Sequence, residues 1–254
     1  MIMSSYDKQL REQLNNSSRP GINEFLLNLY NLVLLEIERS ESVLEIGAGA
    51  GISKRFLPQI NILRTDLFEF PESDVKGNIN SHSLPYFDNS FQTSLGIDVL
   101  HHLESPLDAL KELKRITNFE CGGQIALIEP YVSLFSYPVY RIFHSEKTSN
   151  PWINKYSEPF ISTKPEDGDQ SLSRLLFSKK SGRRLLFELF PAKEYRIRFR
   201  IFSVLSFFLT GGLNNPLPTP RWFVRVAISI ENLIPQVLFK LLGSRCLIVI
   251  EKLE

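Results

Sequence analysis

Apolar, strand-like runs alternate along the chain with amphipathic stretches, the rhythm of an α/β fold. Val43, Leu44, Glu45 and Ile46 form an apolar run that enters Gly47, Ala48, Gly49, Ala50 and Gly51, and a helical segment over 53–57 follows. Ahead of it, residues 5–16 are polar and predict a short helix over the mouth of the sheet. Residues 22–38 are apolar on most faces, which predicts a helix packed between the sheet and another element. Beyond the glycines, 60–65 reads as a second strand ending at Asp66 and 92–97 as a fourth strand. Leu107, Leu110 and Leu113 recur at helical spacing over 106–116, and 124–128 reads as a strand that ends in Glu129 and Pro130. Later, 172–189 and 222–242 read as helices, 194–204 as a half-exposed strand alternating aromatic and aliphatic residues with arginines, and 246–252 as the final strand.

The glycine run carries the first chemical signal. Three glycines at alternate positions allow a tight bend and leave no side chain between the bend and a ligand lying against it. A dinucleotide fingerprint needs Gly-x-Gly-x-x-Gly, whereas here Ile52 stands where the third glycine belongs. That spacing counts against a nucleotide-dependent oxidoreductase; a tight strand-to-helix connection with no ligand is the plain alternative.

With Glu45 ahead of the glycines, this stretch resembles the first motif of the class I S-adenosylmethionine-dependent methyltransferases, of the small-molecule, type 11-like kind. The resemblance implies that Glu45, Gly47, Ala48, Gly49 and Gly51 wrap the methionine part of S-adenosyl-L-methionine. Asp66 lies nineteen residues beyond Gly47, near the ~20-residue spacing at which doubly wound folds present an acid to ribose hydroxyls. The resemblance gives Asp66 that role, with Leu67 beside it. The stretch from Asn80 and Ser81 through Leu84, Pro85 and Asp88 to Phe91 is similar to the family's adenine-binding segment. Asn80 stands where the family usually has Asp, so recognition there would lose its charge and keep an acceptor oxygen. Gly96 and Ile97, followed by Val99-Leu100-His101-His102-Leu103, resemble the fourth motif, and Arg115, Gly122, Gly123, Glu129 and Pro130 match the fifth. The fold implied is a Rossmann-like seven-stranded mixed sheet of order 3-2-1-4-5-7-6, with helices on both faces and the edge closed by an antiparallel pair.

Composition narrows the setting. The chain has 254 residues, 43% hydrophobic and 22% charged, enough for one globular domain with insertions. The reading is a single domain over 1–254: a cofactor-binding core at 22–130, a lid or acceptor insertion at 131–185, and strands and helices at 186–254 that complete the sheet. From Tyr131 to Phe160 there are eight aromatic residues, a density well above the chain's 11%. Such an insert after the fifth strand lies over the carboxyl ends of the strands, as a lid on an acceptor pocket or as a small satellite core.

Charge is unevenly spread. Residues 171–254 hold fourteen Lys and Arg against five Asp and Glu, and the rest holds fifteen against twenty-three. A basic, apolar C-terminal part suits an anionic or lipid-linked acceptor or a membrane surface, or it is simply a solvated face. Two cysteines without metal spacing and an N-terminus lacking an apolar signal core predict a cytoplasmic protein, peripheral to a membrane at most, with no metal site. Scattered basic residues argue against nucleic acid.

A sulfonium methyl is already activated, so the protein must mainly align the acceptor for in-line displacement, exclude water and take up a proton from an oxygen or nitrogen acceptor. His101, at the end of the fourth strand, and His144, in the aromatic segment, are the catalytic base candidates, with Glu129 and Tyr131 behind them. The expectation is methyl transfer to a small, lipid- or saccharide-linked acceptor; a non-catalytic S-adenosylmethionine-binding module is the alternative.

Overall fold

A computed structural model of the chain describes residues 5–67, 74–77, 79, 84–144, 146–156 and 168–253. Seven strands form one sheet: β1 (Val43–Ile46), β2 (Ile62–Asp66), β3 (Val75–Lys76), β4 (Thr93–Ile97), β5 (Gln124–Pro130), β6 (Tyr195–Phe202) and β7 (Arg245–Lys252). Their order is β3-β2-β1-β4-β5-β7-β6, as the sequence predicts. The first five pair in parallel; β7 runs antiparallel to both β5 and β6.

The nine α-helices of the described residues are α1 (Ser5–Asn16), α2 (Pro20–Ile37), α3 (Ser53–Phe56), α4 (Pro106–Ile116), α5 (Ser136–Phe143), α6 (Lys180–Leu189), α7 (Leu205–Phe208), α8 (Arg221–Glu231) and α9 (Gln236–Leu242). Period-2 alternation in the strands divides the interior into two layers. Leu44, Ile46, Ile125, Leu127, Ile248 and Ile250 face one way, onto a layer that holds Leu110 and Leu113 of α4 and Leu186 of α6. Val43, Leu95, Ala126, Ile128, Leu247 and Val249 face the other way, toward α2 and Val224 of α8. Strands buried on both faces explain why β5 and β7 read as near-continuous apolar runs.

On the edge strand β6, Arg196, Arg198 and Arg200 are exposed while Tyr195, Ile197 and Phe199 pack inward. Arg198 Nη2 pairs with Glu36 at 2.6 Å, and charged side chains along an edge discourage pairing with another chain.

Two predicted helices are broken, each for a local reason. In 222–242 the break falls between α8 and α9, where Pro235 has no N–H to continue the ladder. Glu231 turns inward there and accepts from the backbone N–H of Val204 and Ser206 at 2.9 and 2.7 Å. In 172–189 a π turn at Arg174–Ser178 precedes α6, with Lys179 extended between them. A Cβ at Gly182 would stand 2.4 Å from the carbonyl oxygens of Leu175 and Leu176, so α6 packs directly on the backbone of that turn.

The aromatic segment divides between core and surface. Tyr131, Tyr140 and Tyr156 are buried, the Tyr140 hydroxyl donating to the Ser244 carbonyl at 2.6 Å, whereas Phe143 is 76% exposed. Phe160 lies outside the described residues.

Candidate functional site

The parallel strands end at one rim, where a cavity of about 420 Å³ opens. Its wall on the β1 side is the glycine bend. Gly47, Gly49 and Gly51 take φ of +61°, +50° and +63°, the left-handed region in which glycine has no steric penalty. A Cβ on Gly47 would meet Val99 Cγ2 at 2.4 Å, so the bend is also a close-approach site. Gly47, Ala48 and Gly49 line the cavity, whereas Gly51 lies behind the wall, closing the turn through its N–H to the Ala48 carbonyl at 2.9 Å.

Asp66 closes the next side. It lines the cavity beside Leu67, is 5% exposed, and its Oδ2 accepts from Gly49 N–H at 2.8 Å. The end of β2 and the glycine bend are therefore joined through the side chain proposed to bind a ligand. Glu45, also in the wall, is buried and accepts from Ser53 Oγ; Arg64 Nε lies 3.6 Å away. Burial outweighs both partners and raises its pKa to about 7.

At the end of β4, Ile97 is in the wall and Gly96 is not: a Cβ on Gly96 would stand 2.8 Å from Val99 Cγ1 and 2.9 Å from Leu127 Cδ2. Its bareness makes room for those side chains beneath the bend. Asn80 and Ser81 lie outside the described residues. Across the opening, α1 inserts Leu10, 3% exposed, against Ala50 and is tied to the segment before α8 by Gln13 Nε2 to Asn214 Oδ1 and Asn16 Nδ2 to the Leu213 carbonyl, both 2.8 Å.

The cavity wall also holds a charged cluster that sequence reasoning named only in parts. His101 Nδ1 is 2.5 Å from Glu129 Oε2 and its Nε2 is 3.3 Å from Glu146. The other Glu129 oxygen accepts from the N–H groups of Val99 and Leu100 at 3.1 and 2.8 Å, which locks the carboxylate in place. Burial alone would lower the His101 pKa, but the two carboxylates overcome it and raise it to about 10. Burial would raise Glu146, yet His101 brings it down to about 2. Burial and the neighbouring His101 charge hold His102 down, to about 4, and burial lowers His144. The Nδ1 atoms of His102 and His144 are buried without a hydrogen-bond partner.

Sequence reasoning missed two further wall residues, Asp98 and Arg245. Asp98 takes a left-handed φ of +54°, and Arg245 Nη2 lies 2.6 Å from its Oδ1, close enough for an ion pair yet off the hydrogen-bond direction. The signal available was topological: β7 enters the sheet at Arg245, opposite Pro130 at the end of β5.

No protein-family model matches the sequence, and no curated protein matches it. Among solved structures, the chain is similar to a SAM-dependent methyltransferase from Archaeoglobus fulgidus at 15% identity and a TM-score of 0.54, over 94% of this chain and 98% of that one. It is also similar to the CMeT domain of the citrinin polyketide synthase (14% identity, TM-score 0.47, 89% of this chain and 52% of that one). A third similar structure is the YcgJ protein of Bacillus subtilis (16% identity, TM-score 0.46, 87% and 96%). The first of these establishes the fold: the Rossmann-like, seven-stranded mixed sheet of the SAM-dependent methyltransferases.

Proposed function

We propose that the protein is an S-adenosyl-L-methionine-dependent methyltransferase acting on a small, apolar or lipid-linked acceptor. One observation carries this reading: the glycine bend and Asp66, distant in sequence, share a wall of one cavity and are hydrogen-bonded to each other. The cavity has the size of a small-molecule site, and a side chain at Gly47 would collide with Val99, as a closely fitted wall requires. In this reading Glu45, Gly47, Ala48 and Gly49 hold the methionine part and Asp66, beside Leu67, the ribose hydroxyls; Gly51 and Gly96 shape the bend from behind. The cofactor, when bound, supplies an activated sulfonium methyl. The chain's own residues then orient the acceptor and exclude water, which is where α1 and the aromatic segment act.

Of the two histidines named as base candidates, His101 has both ring nitrogens engaged by carboxylates, so neither is turned to the acceptor. His144 lines the same cavity with Nδ1 unpartnered, and we assign it the proton. The division into a 22–130 core, a 131–185 acceptor lid and a 186–254 completion belongs to the same reading. Calorimetric titration with S-adenosylhomocysteine tests it: one molecule bound per chain is the expected result, and no heat at high micromolar ligand overturns it.

The acceptor class rests on an exposed apolar surface of the C-terminal part. Between β6 and β7, helices α8 and α9 and the turn joining them expose Trp222 at 66%, Leu233 at 83% and Val237 at 65%, together with Val226, Ile230 and Leu241. Among the described residues no helix is long and apolar enough to cross a membrane, so this face lies on a surface rather than through it. The positive balance of residues 171–254 favours an anionic one. The chain is expected to pellet with anionic liposomes at moderate salt, and Leu233→Ser with Val237→Ser to reduce pelleting at least about tenfold. Equal recovery with and without liposomes removes the membrane from the proposal. Cys121 and Cys246 are both free, which suits the cytoplasm.

A further inference from the structure

The histidine–carboxylate cluster in the cavity wall gathers three groups able to ligate an ion, one of them Glu146, which also accepts from Gln170 Nε2. One nitrogen each from His101 and His102 and one oxygen from Glu146 lie within 4.8 Å of one another. We propose that these three residues bind one divalent transition ion of the zinc class, with an open coordination position facing the cavity.

Four features of the site point the same way. First, the donor set is two imidazoles and one carboxylate, the chemistry of three-ligand zinc sites that keep a fourth position for water or substrate. Bonds of about 2.0–2.1 Å in a tetrahedron put ligand atoms about 3.3 Å apart; His101 Nε2 and Glu146 Oε2 stand at 3.3 Å already.

Second, His102 Nδ1 is buried with no hydrogen-bond partner, although a buried polar nitrogen is ordinarily satisfied. An ion supplies the missing partner.

Third, His101 is held as metal-bound histidines are. Its Nδ1 pairs with Glu129, leaving Nε2 toward the cluster, and Glu129 is itself anchored by two backbone N–H groups. This is the carboxylate–histidine–metal arrangement that fixes ring orientation and tautomer. Glu129 and Glu146, the carboxylates on either side of His101, supply negative charge around an ion.

Fourth, the chain leaves room. A Cβ on Gly168 would stand 3.0 Å from His102 Nδ1, 3.1 Å from Glu146 Oε2 and 2.6 Å from His101 Cδ2. Only a glycine leaves the space between the donors free. Asp169 N–H to the His101 carbonyl, at 3.1 Å, pins the segment in that position.

His102, Glu146 and His144 all line the cavity, so the open position faces it. There an ion would hold an acceptor oxygen and supply Lewis-acid activation of its hydroxyl. This role rests on the methyltransferase reading; the binding of the ion does not.

The test uses the full chain, stripped with chelator, and Zn²⁺ alone in equilibrium dialysis, with Co²⁺ as a spectroscopic stand-in. One zinc per chain is expected, with His102→Ala and Glu146→Gln each weakening it at least about 100-fold. The Co²⁺ form should show the intense visible bands of a low-coordinate nitrogen and oxygen site, and lose them in His102→Ala. His101→Ala leaves Glu129 buried and unpaired, so it is not the deciding variant. Gly168→Ala gives a second route, since it fills the space without removing a donor and should also abolish binding. Absence of stoichiometric zinc in the parent chain, or unchanged affinity in folded His102→Ala and Glu146→Gln, overturns the proposal. Zinc binding without S-adenosylhomocysteine binding would leave the metal site standing and refute the methyltransferase reading alone.

Discussion

Asp66→Ala is expected to weaken S-adenosylhomocysteine binding about 100-fold in calorimetric titration. The carboxylate lines the cavity and is 5% exposed, so under the proposed reading its hydrogen bonds to two vicinal hydroxyls would be charge-assisted and shielded from water. Each contributes about 1.5–3 kcal/mol. Taking the lower figure for both gives ~3 kcal/mol, or about a factor of 100 in affinity. The same side chain accepts from Gly49 N–H, so the alanine variant also loosens the glycine bend. Asp66→Asn separates the two contributions. Its amide oxygen still serves Gly49 while the charge is gone, and a loss of about tenfold is expected. Parent-like affinity in Asp66→Ala would take the residue out of the site.

The parts of the molecule that repeat a local rule were readable from the sequence, and those made by distant side chains were not. The helix read over 106–116 coincides with α4 because Leu110 and Leu113 recur at helical spacing and Pro106 stands at its first turn. The alternation Tyr195, Ile197, Phe199 against three arginines gave β6, since a half-buried edge strand has period 2. The break at Pro235 is a local signal that the reading of 222–242 passed over, whereas the inward turn of Glu231 beside it is tertiary. Glu231 leaves the surface to cap the turn before α7, and no periodicity records that. The glycines illustrate the same limit at the site. Gly47, Gly51 and Gly96 look alike in the sequence, yet the first faces the cavity, the second closes a turn behind it, and the third makes room for Val99 and Leu127.

The charged cluster shows what would have been needed. His101 follows β4 and Glu129 ends β5, and these strands are neighbours with Ile97 beside Ile128. The sheet order alone therefore brings the pair together. Glu146 and Gly168 arrive from the connection beyond β5, whose path no local pattern specifies; hence the sequence reading saw histidines and a glutamate but no metal set.

That pairing of neighbouring strand ends is also where the largest loss of stability is expected. Glu129 is fully buried, and its carboxylate holds the Val99 and Leu100 N–H groups and the His101 ring together. Glu129→Ala strands an imidazole and two backbone donors in the interior at once. Removing one partner of a buried ion pair costs about 3–5 kcal/mol. Against a typical domain stability of 5–15 kcal/mol, that is a large share of the total. Urea unfolding at neutral pH, in chelator so that no ion contributes, should show a shift of that size in Glu129→Ala. Glu129→Gln keeps an oxygen for the backbone donors and should lose less. The ordering matters more than either value, because it separates the anchored carboxylate from mere filling of space. If alanine costs under about 1 kcal/mol, well short of a broken buried pair, then Glu129 does not organise the end of β4 and the cluster is looser than its distances imply.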